Sequence, residues 1–139
     1  MDNSVAEVAR VQGAALRYGT GADVLRDVDL TIAAGSFQFL IGPSGAGKTS
    51  LLRLLGLAHR ASAGRVALFG RDVATLSTEQ RDRLRRRIGF IYQDLRLIDE
   101  LSVLDNAALP LRLAGVEDAK AVSHARMLLA WLGLGELAQ

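Results

Sequence analysis

Gly42-Pro43-Ser44-Gly45-Ala46-Gly47-Lys48-Thr49 brings together residue types suited to holding phosphate. The order is Gly, four residues, Gly, Lys, then Thr, the spacing of a phosphate-binding loop. Each residue type has a separate physical task. Glycines at 42, 45 and 47 permit positive φ and let the backbone approach a ligand closely. Successive N–H groups can then line one concavity, a nest for phosphate oxygens. A helix beginning near Gly47 adds its positive end. Lys48 carries a compact charge to the β- and γ-phosphates of a nucleotide. The Thr49 hydroxyl can ligate a Mg²⁺ ion that bridges the same phosphates. Ser50 continues the binding run into the first helical turn.

Such a loop works only between a strand and a helix. Phe37-Gln38-Phe39-Leu40-Ile41 supplies an apolar run before it, and Ser50-Leu51-Leu52-Arg53-Leu54-Leu55 a helical run after it. The run 37–41 lacks strict alternation, which predicts a strand buried on both faces, as in a parallel sheet. Upstream, Val5 to Tyr18 reads as a strand with apolar points at Val5, Val8, Val11 and Leu16. Val24 to Ile32 alternates, with Val24, Arg26, Val28, Leu30 and Ile32 expected on one face. Gly-rich residues between these runs predict an antiparallel hairpin. Gly56 to Gly64 reads as a loop, Arg65 to Phe69 as a strand and Gly70-Arg71-Asp72 as a turn.

The C-terminal part reads as mainly helical. Ser77 and Gln80 form a capping-box pattern ahead of a helix bearing Arg81, Arg83, Arg85, Arg86 and Arg87. Ile88 to Tyr92 predicts a strand that ends at Gln93-Asp94. Ser102 is placed to cap a helix running toward Leu113 and kinked at Pro110. Glu117 to Leu132 predicts an amphipathic helix, apolar at Val122, Ala125, Leu129 and Leu132 and closed by Gly133.

Composition narrows the class. With 139 residues, half of them apolar, the chain can bury a core. Net charge is only +2 although the pI is about 9.5, and nearly all of the 17 basic residues are arginines. This reads as a compositional bias and not as a nucleic-acid surface, so no direct nucleic-acid partner is expected. The absence of Cys excludes disulfides, thiolate metal sites and a cysteine nucleophile, and suits a reducing cytoplasm. No apolar run reaches the ~20 residues of a membrane helix.

A small GTPase would carry an Asp-x-x-Gly switch and an Asn-Lys-x-Asp base-reading motif, and neither occurs. A kinase lid could use the arginines at 81–87, although a run of like charges on one helix is usually a solvated face. A nucleotide-binding interaction module without catalysis is a third possibility. The residues themselves resemble the ABC-type ATPases over the whole chain. The hairpin, the loop at 42–49, Ala63-Gly64-Arg65-Val66, Gly70-Arg71-Asp72-Val73 and the run from Arg86 to Asp94 carry the likeness. Leu101 to Gly115, together with Tyr18-Gly19 and Leu52-Arg53-Leu54-Leu55, is similar to the FtsE-like branch, whose relatives include lipoprotein-releasing and macrolide-export ATPases.

That resemblance implies an α/β P-loop NTPase fold. It would comprise an antiparallel β subdomain, part of a parallel RecA-like core and the start of a helical subdomain, divided near residue 93. It implies ATP and Mg²⁺ as cofactors, Tyr18 as an adenine-stacking residue, and Gln93 as a contact to the metal and the attacking water. Lys48 and Gln93 would be the catalytic residues within the chain, and Thr49 and Gln93 the metal contacts. It also implies a homodimer through the ATP sites, an FtsX-like membrane protein as partner, and a location on the inner face of the bacterial plasma membrane. The arginine helix and the 96–111 stretch would face that partner. The family's Leu-Ser-Gly-Gly-Gln, Walker B and switch-histidine motifs do not occur in these residues. One incomplete ATP-binding domain is therefore expected, with little hydrolysis alone and with exposed apolar sheet edges. Asp94 has no acidic neighbour and does not read as Walker B, while His59 and His124 read as solvent-facing.

Overall fold

The computed structural model describes residues 6–137, so Val5, expected at the start of the first strand, lies outside the described residues. The chain divides into two compact units, Met1–Ile88 and Gly89–Gln139.

The first unit holds β1 (Glu7–Arg17), β2 (Asp23–Ala33), α1 (Lys48–Leu55), β3 (Ala63–Leu68), β4 (Arg71–Asp72) and α2 (Thr78–Arg85). The strands form one antiparallel sheet in the order β2-β1-β3-β4. The expected hairpin is present, but its register differs from simple alternation. Gly13 sits at φ +53 and Asp27 at φ +48, with register shifts flanking both. Each inserts a residue, as a bulge does, so the core face changes parity along the strand. Ala9, Val11, Ala14 and Leu16 are buried on β1, and on β2 Leu25 is buried in place of Val24 or Arg26. The Gly13 N–H donates to Asp29 Oδ1 at 2.8 Å, which satisfies the donor freed from the ladder.

Leu51 and Leu54 of α1, Leu84 of α2, and Leu57 and Leu76 from the segments between them close the core over this sheet. The α1 helix ends in a Schellman arrangement: Leu57 N–H to Leu54 O (3.1 Å) and Ala58 N–H to Arg53 O (2.9 Å). The left-handed position is filled by Leu57, at φ +60, where glycine is usual. Leu57 is buried, which explains the choice. Relief of backbone strain in Leu57→Gly is worth about 1–2 kcal/mol, against about 2–5 kcal/mol for a lost core leucine. The variant is expected to be less stable by about 1–3 kcal/mol, measured by denaturant unfolding.

Two elements differ from expectation. The run 37–41 joins no sheet, and Phe37, Phe39 and Ile41 are 82%, 82% and 87% exposed. A strand apolar on both faces needs neighbours on both edges, and none of the described residues pairs with this one. The run 88–92 likewise forms no ladder, and Ile91 is exposed. The parallel core therefore does not form among the described residues. A smaller shift concerns the turn after β3. It is Phe69-Gly70, both at positive φ, and Arg71–Asp72 pairs back with Ala67 and Leu68 as β4.

The second unit holds α3 (Val103–Leu113) and α4 (Asp118–Trp131). Small residues Ala108, Ala121 and Ala125 form their contact, ringed by Leu104, Ala107, Leu111, Val116 and Val122. Leu132, expected on the apolar face, is exposed. Gly133 closes α4 in the expected way, with Gly133 N–H to Ala130 O and Leu134 N–H to Leu129 O. Pro110 is accommodated inside α3.

Polar side chains tie this unit together. Ser102 Oγ accepts from the Asp105 N–H (3.0 Å), and its hydroxyl donates to Asp105 Oδ2 (2.8 Å). Arg112 donates to Asp105 Oδ1 at 2.9 Å and also reaches Asp118, joining the two helices. The Ser102 hydroxyl first, and then Arg112, hold the Asp105 carboxyl below its ordinary pKa. A depressed folded pKa gives stability that is complete above the unfolded value and is lost as pH falls through the folded one. The melting temperature of the helical unit is thus expected to drop below about pH 4, and Asp105→Asn to flatten that part of a pH series of melts.

Candidate functional site

The phosphate loop has the backbone that its glycines predict. Gly42, Gly45 and Gly47 all have positive φ (156°, 82° and 87°), while Ala46 between the last two does not. Left-handed glycines interleaved with residues of negative φ turn successive N–H groups to one side. Helix α1 starts at Lys48, one residue past Gly47, with Leu51 N–H donating to Gly47 O at 2.9 Å. Gly47 has a second role. A Cβ there would lie 2.7 Å from Leu25 Cδ2 and 3.0 Å from Val24 O. The loop is thus pressed against β2, and the buried Leu25 side chain sets its position.

Lys48 Nζ donates to the carbonyls of Gly42 (2.8 Å) and Pro43 (2.7 Å), folding back across the loop. The ammonium is held at the mouth of the nest by neutral acceptors that a charged phosphate can replace. Pro43, Ser44 and Ala46 form the exposed rim, with Ala46 N–H donating to Pro43 O. Thr49 is exposed in the first turn of α1. A hydroxyl beside a phosphate nest suits Mg²⁺, which takes one or two protein oxygens and completes its shell from phosphate and water. Among the described residues no three His, Cys, Asp or Glu side chains cluster as a metal cage.

Ser50 is turned the other way. It is buried, and its Oγ accepts a hydrogen bond from the Tyr18 hydroxyl at 3.1 Å. Tyr18, at the end of β1, is thereby tied to the helix that carries the loop, and it remains 40% exposed. His59 corrects the expectation of a solvent-facing side chain. It is half-buried, and its ring lies edge-on to Tyr18, with centroids 5.0 Å apart and planes at 86°. His124 is exposed as expected. Arg81, expected on a solvated face, instead donates to the carbonyls of Leu57 (2.8 Å) and His59 (3.1 Å). Burial pushes its pKa down, though an arginine stays charged. Neither the His59 nor the Arg81 contact has a local sequence signal, since the partners are 41 and 22–24 positions away.

Gln93 belongs to the second unit, exposed in a turn. Arg96 organises that turn, stacking its guanidinium 4.1 Å from the Tyr92 ring centre and pairing with Asp94 at 3.4 Å. Leu95 and Arg96 both take positive φ. Further on, Asn106 staples the preceding segment to α3. Its Oδ1 accepts from Ile98 N–H, and its Nδ2 faces the carbonyls of Ile98, Leu101 and Ser102. An apolar groove of about 380 Å³ lies here, lined by Leu97, Ile98, Val103, Ala107 and Leu129, with Asp99 and Asn106 as polar edges. All of this lining except Leu129 of α4 falls within the stretch 96–111 expected to face a partner.

The family described as ABC transporter matches residues 25–139. The chain belongs to the ABC transporter family. Its fold is that of the N-terminal portion of an ABC ATPase, an antiparallel sheet with helices. The chain is similar to the ATP-binding cassette MJ0796, solved as a dimer in a post-hydrolysis state bound to ADP and Pi. The TM-score is 0.83 at 27% identity, covering 94% of this chain and 60% of that one. Among ABC relatives, the lipoprotein-releasing system ATP-binding protein LolD 2 of Caulobacter vibrioides is 50% identical over 113 residues. That covers 81% of this chain and 50% of the relative. The methionine import ATP-binding protein MetN of Rhizobium johnstonii is 38% identical over 133 residues, covering 96% of this chain and 36% of its own. The chain spans about half the length of the LolD relatives it matches and little more than a third of the MetN relatives. No helix among its described residues is long and apolar enough to cross a membrane.

Proposed function

We propose that this chain is the nucleotide-binding part of an ABC ATPase that serves a lipoprotein-releasing system. The observation that carries the ATP-binding reading is the loop at 42–49, with its alternating backbone and with Lys48 poised at its mouth. ATP phosphates enter the nest, and Lys48 exchanges the Gly42 and Pro43 carbonyls for β- and γ-phosphate oxygens. Thr49 offers an oxygen ligand to Mg²⁺, an ion that neutralises developing charge on the phosphates when bound. Tyr18 presents its exposed ring to adenine. Gln93 would be the metal- and water-contacting residue that the family resemblance implies. ATP is sandwiched in a homodimer, so the loop is one half of a site. The chain alone binds Mg-ATP and turns it over negligibly, because hydrolysis depends on groups positioned around the transferred phosphoryl.

The partner reading rests on relatives. LolD proteins are 39–50% identical to this chain and MetN proteins 38–42%, so the preference rests on the upper end of the LolD range, 45% and 50% over about four-fifths of the chain. A lipoprotein-releasing membrane subunit is accordingly the expected partner. The groove at 97–107, apolar with two polar edges, suits an amphipathic helix from it. The protein would sit on the cytoplasmic side of the membrane through that contact. The resemblance of Leu101 to Gly115 to the FtsE-like branch favours a second reading, cell division with an FtsX-like partner. Copurification from bacterial membranes separates the two. A lipoprotein-releasing subunit in the complex supports the first reading, and an FtsX-like protein overturns it in favour of the second.

A further inference from the structure

We infer that His59 is a positioning residue for Tyr18, setting the plane of the ring that receives the adenine base. The inference rests on the ATP-binding reading above. Tyr18 is held at three points. Its backbone closes the β1–β2 turn, with the Gly21 N–H donating to its carbonyl at 3.3 Å. Beside it, Arg17 pairs with Asp23 across the same turn at 2.9 Å. Its hydroxyl is tied to Ser50 Oγ at 3.1 Å. Those two anchors fix the ends of the side chain but not its plane, because the ring can still rotate about the axis from Cβ to the hydroxyl. The third contact removes that freedom. His59 meets the ring at 86° and 5.0 Å, the edge-to-face arrangement that aromatic pairs favour.

The backbone that carries His59 is itself fixed. Its carbonyl accepts from Arg81 Nη2 at 3.1 Å, and its N–H donates to Arg53 O at 3.4 Å, at the closed end of α1. The helix that begins at the phosphate loop therefore leads, through the turn that closes it, to the residue that orients the tyrosine. Base and phosphate subsites are gauged along one short rod, α1 (Lys48–Leu55). A stacked base gains only when the receiving face is held parallel to it, so loss of the His59 ring costs base affinity and leaves phosphate affinity alone.

The test is calorimetric titration of the 139-residue chain with Mg-ATP and, separately, with Mg-tripolyphosphate, which has the phosphates but no base. His59→Ala is expected to weaken Mg-ATP by about 3- to 10-fold while changing tripolyphosphate affinity by less than about twofold. His59→Phe, which keeps an aromatic edge, is expected to restore Mg-ATP affinity. A disordering effect would lower both ligands together, and that result overturns the inference, as does unchanged Mg-ATP affinity in His59→Ala. A wild-type chain that binds neither ligand overturns the ATP-binding reading itself, and this inference with it. Binding of tripolyphosphate as tightly as ATP overturns the inference alone.

Discussion

Lys48→Ala is expected to weaken Mg-ATP binding by about 10- to 100-fold, since a charge-assisted bond is worth about 1.5–3 kcal/mol. The upper part of that range is limited by what Lys48 already does. Its ammonium has two carbonyl acceptors, Gly42 and Pro43, so binding exchanges partners and does not create bonds from nothing. The same two bonds are exposed, so their loss has little effect on folding. Melting temperature should move by no more than a degree or two, about what a few tenths of a kcal/mol gives. Lys48→Arg is not expected to restore binding. A planar guanidinium cannot reproduce a compact ammonium folded back over a tight loop. Titration calorimetry and thermal melts on the same preparations check both halves of the expectation.

Gly64→Ala is expected to have the largest effect on stability. A Cβ at Gly64 would lie 2.2 Å from the Gly13 carbonyl oxygen, 2.4 Å from its carbon and 2.6 Å from Ala14 Cα. All three are backbone atoms, so no side chain can turn away. Relief requires β3 to part from β1 at the bulge, where Val11, Ala14, Leu16 and Val66 are buried. The φ of +76° adds a further penalty for any residue with a Cβ. A loss on the order of 3–5 kcal/mol follows, a large share of the ~5–15 kcal/mol available to a typical domain. Gly70→Ala is the control. Its φ is +75°, but nothing lies within 4 Å of the added carbon, so it is expected to cost only about 1–2 kcal/mol. Denaturant unfolding of the two variants separates close approach from backbone strain.

What could be read in the residues alone follows a physical division. The loop at 42–49 was legible because phosphate binding demands particular residue types at fixed spacing. The caps at Ser77 with Gln80, and at Ser102, were legible because their hydrogen bonds close within three residues. The register of the hairpin was not. Gly13 and Asp27 each shift the parity of the sheet, and alternation counted along one strand cannot see a bulge. The runs 37–41 and 88–92 were misassigned for a different reason. An apolar run states that a segment seeks burial on both faces, not which strands will lie beside it. His59 and Arg81 were misread because their partners are far away in sequence, and a loop histidine or helix arginine has no local mark of such packing. The FtsE-like reading rests on Leu101 to Gly115 with two short runs, Tyr18-Gly19 and Leu52 to Leu55, whereas the likeness to LolD proteins is spread over more than a hundred residues.

The most direct test of the central claim, that the loop at 42–49 is an ATP site, is a titration of the 139-residue chain with Mg-ATP, run in parallel on Lys48→Ala. Saturable binding at one nucleotide per chain, largely lost in the variant, is the predicted result. Binding that survives Lys48→Ala, or no binding by the wild-type chain, would contradict the account.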